Sequence, residues 1–262
     1  MSFMVSELTI SIGGRTVVDD VSFTVPDGGR FGIIGESGSG KSLTALAILG
    51  LLPEGATATG SIRLDGRELL GLRERELARV RGAKIGMVFQ EPRTALNPIR
   101  TIGRQIAEPL RIHEGIGRSE ARARTVEIAR LVALPDPETI VTRYPHQLSG
   151  GQRQRVGIAI ALAARPRILI ADEPTTALDV TIQAEILALF DRIVDSLGSS
   201  LIFITHDLAV LQSVVDEAMV LGAGRVVESA PISDLLSRPS SPVTRRLVDA
   251  ARATSWTKPE QP

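Results

Sequence analysis

Gly35-Glu36-Ser37-Gly38-Ser39-Gly40-Lys41-Ser42 stands directly behind an apolar run, Phe31-Gly32-Ile33-Ile34, and opens a helix-patterned stretch from Ser42 to Leu52. Few eight-residue segments restrict a fold as tightly. Glycines without Cβ let successive backbone N–H groups converge at a helix N-terminus, where the helix dipole favours an anion. Strand, glycine loop and helix in that order are the context a phosphate loop requires. Here Lys41 adds a point charge for the β- and γ-phosphates, and the Ser42 hydroxyl is a ligand for Mg²⁺. An ordinary Gly/Ser turn accounts for the glycines but not for the lysine or the flanking elements.

The rest of the chain extends this pattern. Leu8 to Ile12 and Val17 to Val25 read as strands about a Gly13-Gly14 turn, with a further turn at Pro26-Asp27-Gly28-Gly29. Ile168 to Ala171 and Leu201 to Ile204 are continuously apolar, as strands covered on both faces of a parallel sheet would be. Thr181 to Leu197 reads as the helix between them, giving βαβ order. Glu91 to Gln147 is rich in Arg and Ala with helical periodicity, and it interrupts the α/β pattern as an inserted lobe. We expect one domain over 1–262. Its core is 1–90 and 156–228, its helical lobe 91–155 and its C-terminal tail 229–262, with 254–262 frayed.

Composition removes several classes. Thirty basic and thirty acidic residues cancel, so no polyanion-binding surface is suggested. With no cysteine there are no disulfides or thiolate metal sites, and a reducing compartment fits. Met1 to Glu7 lacks the basic start and apolar run of a signal peptide. The most apolar stretch, Val156 to Ala171, is broken by Arg165-Pro166-Arg167 and falls short of the ~20 residues a membrane span needs. Membrane association is therefore expected only through a partner.

Four further features carry chemistry. Asp172 ends a buried strand, so its carboxylate emerges at the sheet edge where it can hold Mg²⁺, and Glu173 can polarise an attacking water. Gln90 follows the apolar strand Ile85 to Phe89, where an amide can reach both metal and water. Leu148-Ser149-Gly150-Gly151-Gln152 precedes an apolar helix, and a capped helix start with two glycines is an anion site. A simple cap explains Ser149 but leaves Gly150, Gly151 and Gln152 without a reason. His206 ends the strand Leu201 to Thr205; His113 and His146 read as surface or lobe residues. No His/Asp/Glu group has zinc-site spacing, which leaves Mg²⁺ with the nucleotide as the one metal proposed.

Taken in order and spacing, these motifs resemble the ATP-binding cassette of ABC transporters over nearly the whole chain. The resemblance implies an α/β phosphate-loop NTPase core with a mostly parallel sheet, an N-terminal antiparallel β subdomain and an inserted helical subdomain. It also implies ATP and Mg²⁺ as ligands, with Ser149, Gly150, Gly151 and Gln152 meeting the γ-phosphate of ATP held by a second cassette. His206 matches the family's switch histidine, and Thr175-Thr176-Ala177-Leu178-Asp179 its loop between cassettes, Asp179 being the acidic member. The aromatic residue that the family stacks on adenine is replaced at the equivalent position by Ile12; Phe3 and Phe23, nearby, read as core.

Glu91-Pro92-Arg93-Thr94-Ala95-Leu96-Asn97-Pro98, Thr101 to Ile106 and Arg143 to His146 are similar to the oligopeptide, dipeptide and nickel importer branch. Ser241-Pro242-Val243-Thr244-Arg245-Arg246-Leu247 resembles that branch's C-terminal Pro-Tyr-Thr-Arg motif with Val243 in place of tyrosine. Peptide-importing members usually extend past this point, so nickel or metal-chelate import stays the alternative to peptide. The resemblance implies a related second ATPase subunit in a heterodimer, two permease subunits and, indirectly, an extracytoplasmic solute-binding protein. It places the chain peripherally at the cytoplasmic face of the inner membrane. A soluble cassette acting on ribosomes or DNA is a distant alternative, because the chain shows neither tandem cassettes nor long heptad arms, and no nucleic-acid partner is expected. A small-molecule kinase leaves Leu148 to Gln152 without a role.

Overall fold

The computed structural model describes residues 2–90, 95–176 and 178–254. Two antiparallel strands, β1 (Ser2–Ile12) and β2 (Arg15–Pro26), open the chain. Along β2 the buried residues Val21, Phe23 and Val25 alternate with exposed neighbours, the pattern of a sheet with one covered face. β3 (Arg30–Gly35) leads through the glycine loop into α1 (Lys41–Ile48). β4 (Ala56–Leu64) and β5 (Arg67–Glu68) complete an antiparallel sheet in the order β2-β1-β4-β5. After α2 (Glu74–Leu77), β6 (Ile85–Val88) returns the chain to the main sheet.

The interruption expected in mid-chain is helical. It comprises α3 (Ile102–His113), α4 (Arg118–Leu131), α5 (Pro137–Ile140), a 3-10 turn at Pro145–Gln147, and α6 (Gly150–Leu162). The core resumes with β7 (Ile168–Asp172), α7 (Val180–Leu197), β8 (Ser200–Thr205), the single turn α8 (Leu208–Leu211), β9 (Glu217–Gly222) and β10 (Arg225–Pro231). Two helices follow, α9 (Ile232–Ser237) and α10 (Pro242–Thr254).

The main sheet has the order β10-β9-β3-β8-β7-β6, parallel throughout except for β10. β7 and β8 are buried at every residue, and alternate side chains serve opposite faces. Leu169, Ala171, Leu201 and Phe203 join the core shared with the helical lobe and α7. Ile168, Ile170, Ile202 and Ile204 join the core against the antiparallel sheet and α1. Phe3 and Phe23 lie in that second core, 2% and 8% exposed.

Three expected boundaries shift. The first helix stops at Ile48 rather than Leu52, because Gly50 takes a left-handed φ of 61° and Leu51 N–H turns back to Leu46 O at 2.8 Å. The lobe boundary at 155/156 falls inside α6, a continuous helix that serves both units. Arg155 donates to Val132 O at 3.0 Å in the lobe, while Val156, Ile158 and Leu162 enter the core. The tail beginning at 229 starts within β10, and most of it is folded onto the core: Leu235 is 0% and Val248 2% exposed. Residues 255–262 of the expected frayed end, and Glu91 to Thr94 of the branch stretch, lie outside the described residues.

Glu228 of β10 holds the start of α10 by accepting the Ser240 and Ser241 N–H groups, both at 2.9 Å. Burial alone would raise its carboxyl, but the Thr244 hydroxyl first of all, with the Ser240 and Ser241 N–H groups and the Ser240 hydroxyl, outweighs it and holds the group down at about 2. A folded value below the ordinary 4.5 means the stabilisation is complete above that pH and is lost as pH falls through about 2. Glu228→Gln is expected to cost about 1–2 kcal/mol at neutral pH, allowing for its partial exposure. In denaturant titrations the gap from wild type should narrow at about pH 3. An equal loss at both pH values would show that the charge is not responsible.

Candidate nucleotide site

The carboxyl ends of four parallel strands converge at one sheet edge, where open α/β sheets place ligands. β3 delivers the glycine loop, β6 Gln90, β7 the Asp172-Glu173 pair and β8 His206. Gly40 caps α1 with φ 101°, a conformation open to glycine, and a Cβ there would lie 2.7 Å from Val18 Cγ2. Lys41 is 5% exposed, and its Nζ donates to Gly35 O at 2.8 Å and Glu36 O at 3.0 Å. Burial lowers its pKa, partly offset by the carboxylates of Glu173 and Asp172.

Ser42 Oγ donates to Asp172 Oδ1 at 3.1 Å. Burial pushes the Asp172 carboxyl up, and repulsion from Glu173 adds to this; the Ser42 hydrogen bond and Lys41 oppose it. Glu173 is the hub of the site. Its Oε2 accepts Thr176 Oγ1–H at 2.9 Å and Gln90 Nε2–H at 3.2 Å, and lies 3.2 Å from His206 Nδ1. Its Oε1 is 3.9 Å from Lys41 Nζ. Glu173 itself has φ 45°, an unusual conformation for a residue with a side chain, and its N–H is held by Ile204 O at 2.9 Å.

Two features fit a phosphate-bound divalent cation. The Ser39 hydroxyl in the glycine loop is 4% exposed and has no hydrogen-bond partner among the described residues, as a donor awaiting an anion would. Ser42, Asp172 and Gln90 offer a hydroxyl, a carboxylate and an amide, a hard oxygen set suited to Mg²⁺. Among the described residues no group of three or more His, Asp or Glu could hold a metal unaided.

The Leu148 to Gln152 stretch approaches the first turn of α7. Ser149 Oγ accepts Gln152 N–H at 3.2 Å, and Gln152 Oε1 accepts Ser149 N–H at 3.0 Å, a reciprocal cap of α6. The Gln152 side chain, expected at the nucleotide, is thus engaged in the cap. Asp179 caps α7 by accepting Ile182 N–H at 3.0 Å. A Cβ on Gly151 would lie 2.9 Å from Ile182 Cγ2, so Gly151 lets these two helix starts approach. Gly150 is different: nothing described lies within 4 Å of where its Cβ would be.

Ile12 sits half-buried at the end of β1, paired with Arg15 and Ala56. The residues of that sheet seen against the glycine loop are Val17 and Val18, which sequence reading passed over. It also missed Thr176 as a ligand of Glu173, although its place three residues on was a signal, and Arg246, whose contact with Glu36 has no local signature. His146 stacks on Tyr144 with centroids 5.8 Å apart, and His113 lies beside Gly82, both away from Glu173.

Fold and site together define a nucleoside triphosphatase of the phosphate-loop class. The ABC transporter family profile matches residues 18–176. A probable peptide ABC transporter ATP-binding protein of Sinorhizobium fredii is 49% identical across 93% of this chain and 71% of its own length. A peptidoglycan transport ATP-binding protein of Agrobacterium fabrum is 50% identical across 91% of this chain, which spans 44% of that protein. A solved ATP-binding cassette, dimeric in a post-hydrolysis state with ADP and Pi, superposes with a TM-score of 0.78 at 31% identity, covering 88% and 99% of the two chains. This chain belongs to the ABC transporter family, as an ATP-binding cassette and ATPase coupled to transport. No described helix is long and apolar enough to cross a membrane.

Proposed function

We propose that this chain is the ATP-hydrolysing motor subunit of a multi-subunit importer that takes up peptides. The observation that carries the hydrolytic part is the Glu173 carboxylate, 3.9 Å from the glycine-loop lysine and surrounded by Gln90, Thr176 and His206. Peptide as cargo is supported by the name of the Sinorhizobium relative; nickel or a metal chelate is the alternative.

In this reading the glycine loop and Lys41 bind the triphosphate, and Ser42, Gln90 and Asp172 hold Mg²⁺, which neutralises phosphate charge when bound. Glu173 orients and polarises the attacking water, and His206 contacts the γ-phosphate. Ile12 touches adenine through apolar contact. Ser149, Gly150 and Gly151, with Asp179, complete the site of a second, related but distinct cassette. Gly150 supports this, since among the described residues nothing lies within 4 Å of where its Cβ would be. Membrane attachment at the cytoplasmic face comes through two permease subunits, which receive cargo from an extracytoplasmic solute-binding protein. The apolar side chains Leu51, Phe89 and Ile112 are 39%, 41% and 68% exposed and line a groove of about 530 Å³ between core and lobe. That groove, lined also by Ala95 and Asn97, suits a short permease helix. Closure of the two cassettes moves the lobes and through them the permeases.

Ser149→Arg tests the two-cassette arrangement. ATP affinity of the isolated chain should be unchanged, whereas ATPase activity of the assembled transporter should fall sharply, because the added side chain fills the space of the partner's γ-phosphate. A cap role alone costs about 0.5–2 kcal/mol of stability with no further effect on activity. Normal turnover in a correctly assembled complex would remove Ser149 from the site.

A further inference from the structure

Glu36 is the sole carboxylate within the glycine loop. Its Oε1 lies 3.0 Å from Arg246 Nη2, 210 residues further on in α10. The helix that carries Arg246 is firmly placed. Thr244 and Val248 are buried, Val243, Leu247 and Ala251 pack on the core, and Glu228 holds the N–H groups at its start. At 100° per residue Arg246 stands just outside that packed face. Docking of α10 therefore sets the guanidinium at the loop.

A carboxylate on a loop that binds a polyanion opposes its ligand, and a neighbouring cation cancels that opposition. We propose that Arg246 is a positioning residue of the nucleotide site, acting through Glu36: it neutralises the loop's own negative charge and raises affinity for nucleoside triphosphate. The proposal rests on the glycine loop being the triphosphate site. It makes the last described helix part of the ATP-binding apparatus rather than an appendage. Both side chains are about 60% exposed, so the effect is modest and sensitive to salt.

The test is Mg·ATP titration calorimetry on the full chain carrying Arg246→Gln, Glu36→Gln or both, at about 0.05 and 0.5 M salt. Arg246→Gln should weaken binding roughly two- to fivefold at low salt and little at high salt. In the Glu36→Gln background the same change should do almost nothing, and its effect should be smaller for AMP than for ATP. A structural role would instead lower the melting temperature and weaken binding equally at both salts. An unchanged affinity, or a loss that persists in the Glu36→Gln background, would overturn the proposal. Lys41→Ala run alongside separates the two readings: if it too binds normally, the loop assignment fails; if it alone loses binding, only the role of Arg246 does.

Discussion

Glu173→Gln is expected to bind Mg·ATP and to hydrolyse it about 10²–10⁴-fold more slowly than the wild-type chain in its assembled complex. The amide is nearly isosteric, so the Thr176 and Gln90 hydrogen bonds to its carbonyl oxygen can persist. What disappears is the negative charge 3.9 Å from Lys41 and the basicity needed to draw a proton from water. Contacts of the triphosphate with the glycine loop are untouched, so affinity should hold or improve as like charge leaves the pocket. With its partner cassette present, the variant should accumulate as a closed, ATP-loaded dimer, visible by size-exclusion chromatography. Normal hydrolysis would move the general base elsewhere, with Gln90 and His206 the next side chains to examine.

Lys41→Ala should act on binding itself. Its ammonium is buried, points into the glycine loop and is held there by two loop carbonyls at 2.8 and 3.0 Å. A charge-assisted contact to phosphate in such a setting is worth about 1.5–3 kcal/mol, so Mg·ATP affinity should fall roughly 10- to 100-fold. The substitution also leaves the Gly35 and Glu36 carbonyls without that donor, so the melting temperature must be followed in parallel. A calorimetric Kd within severalfold of wild type, in a folded variant, would sink the assignment of Lys41.

The contrast with the ion pairs on the surface explains why these two changes are expected to dominate. Arg130–Glu138 joins two largely exposed side chains at 2.8 Å. Solvent screening leaves such pairs within about 0–1 kcal/mol. The side chains of Lys41 and Glu173 are 5% and 12% exposed, and there the same charges are screened far less.

Much of the architecture was legible in the chain because local rules act over short windows. The apolar runs at 168–171 and 201–204 read as doubly covered strands and are paired with each other, since an unbroken run has no face to give to water. Ser149 was legible as a cap because capping is a contact over three residues. Boundaries were less legible where two units share one element. Nothing in Gly150 to Leu162 marks residue 155 as a limit, and the helix crosses it with continuous hydrogen bonding. The C-terminal segment, expected as a tail apart from the core, is joined to it: Val243, Leu247, Val248 and Ala251 form one apolar helix face against the core.

Residue type, order and spacing suffice for the class of fold, the phosphate loop and the side chains with chemistry to offer. Tertiary structure decided which of them meet. Glu173 gathers Gln90 from 83 residues before it and His206 from 33 after it, since parallel strands end at the same edge however far apart they lie in the chain. It decided that Gly151 is pressed by Ile182 while Gly150 is bare. It also brought Arg246 to Glu36, a meeting with no local cause, because the site of α10 is chosen by burial of its apolar face. Pattern and propensity act along the chain, whereas charge and close packing act through space, and only the folded core connects the two.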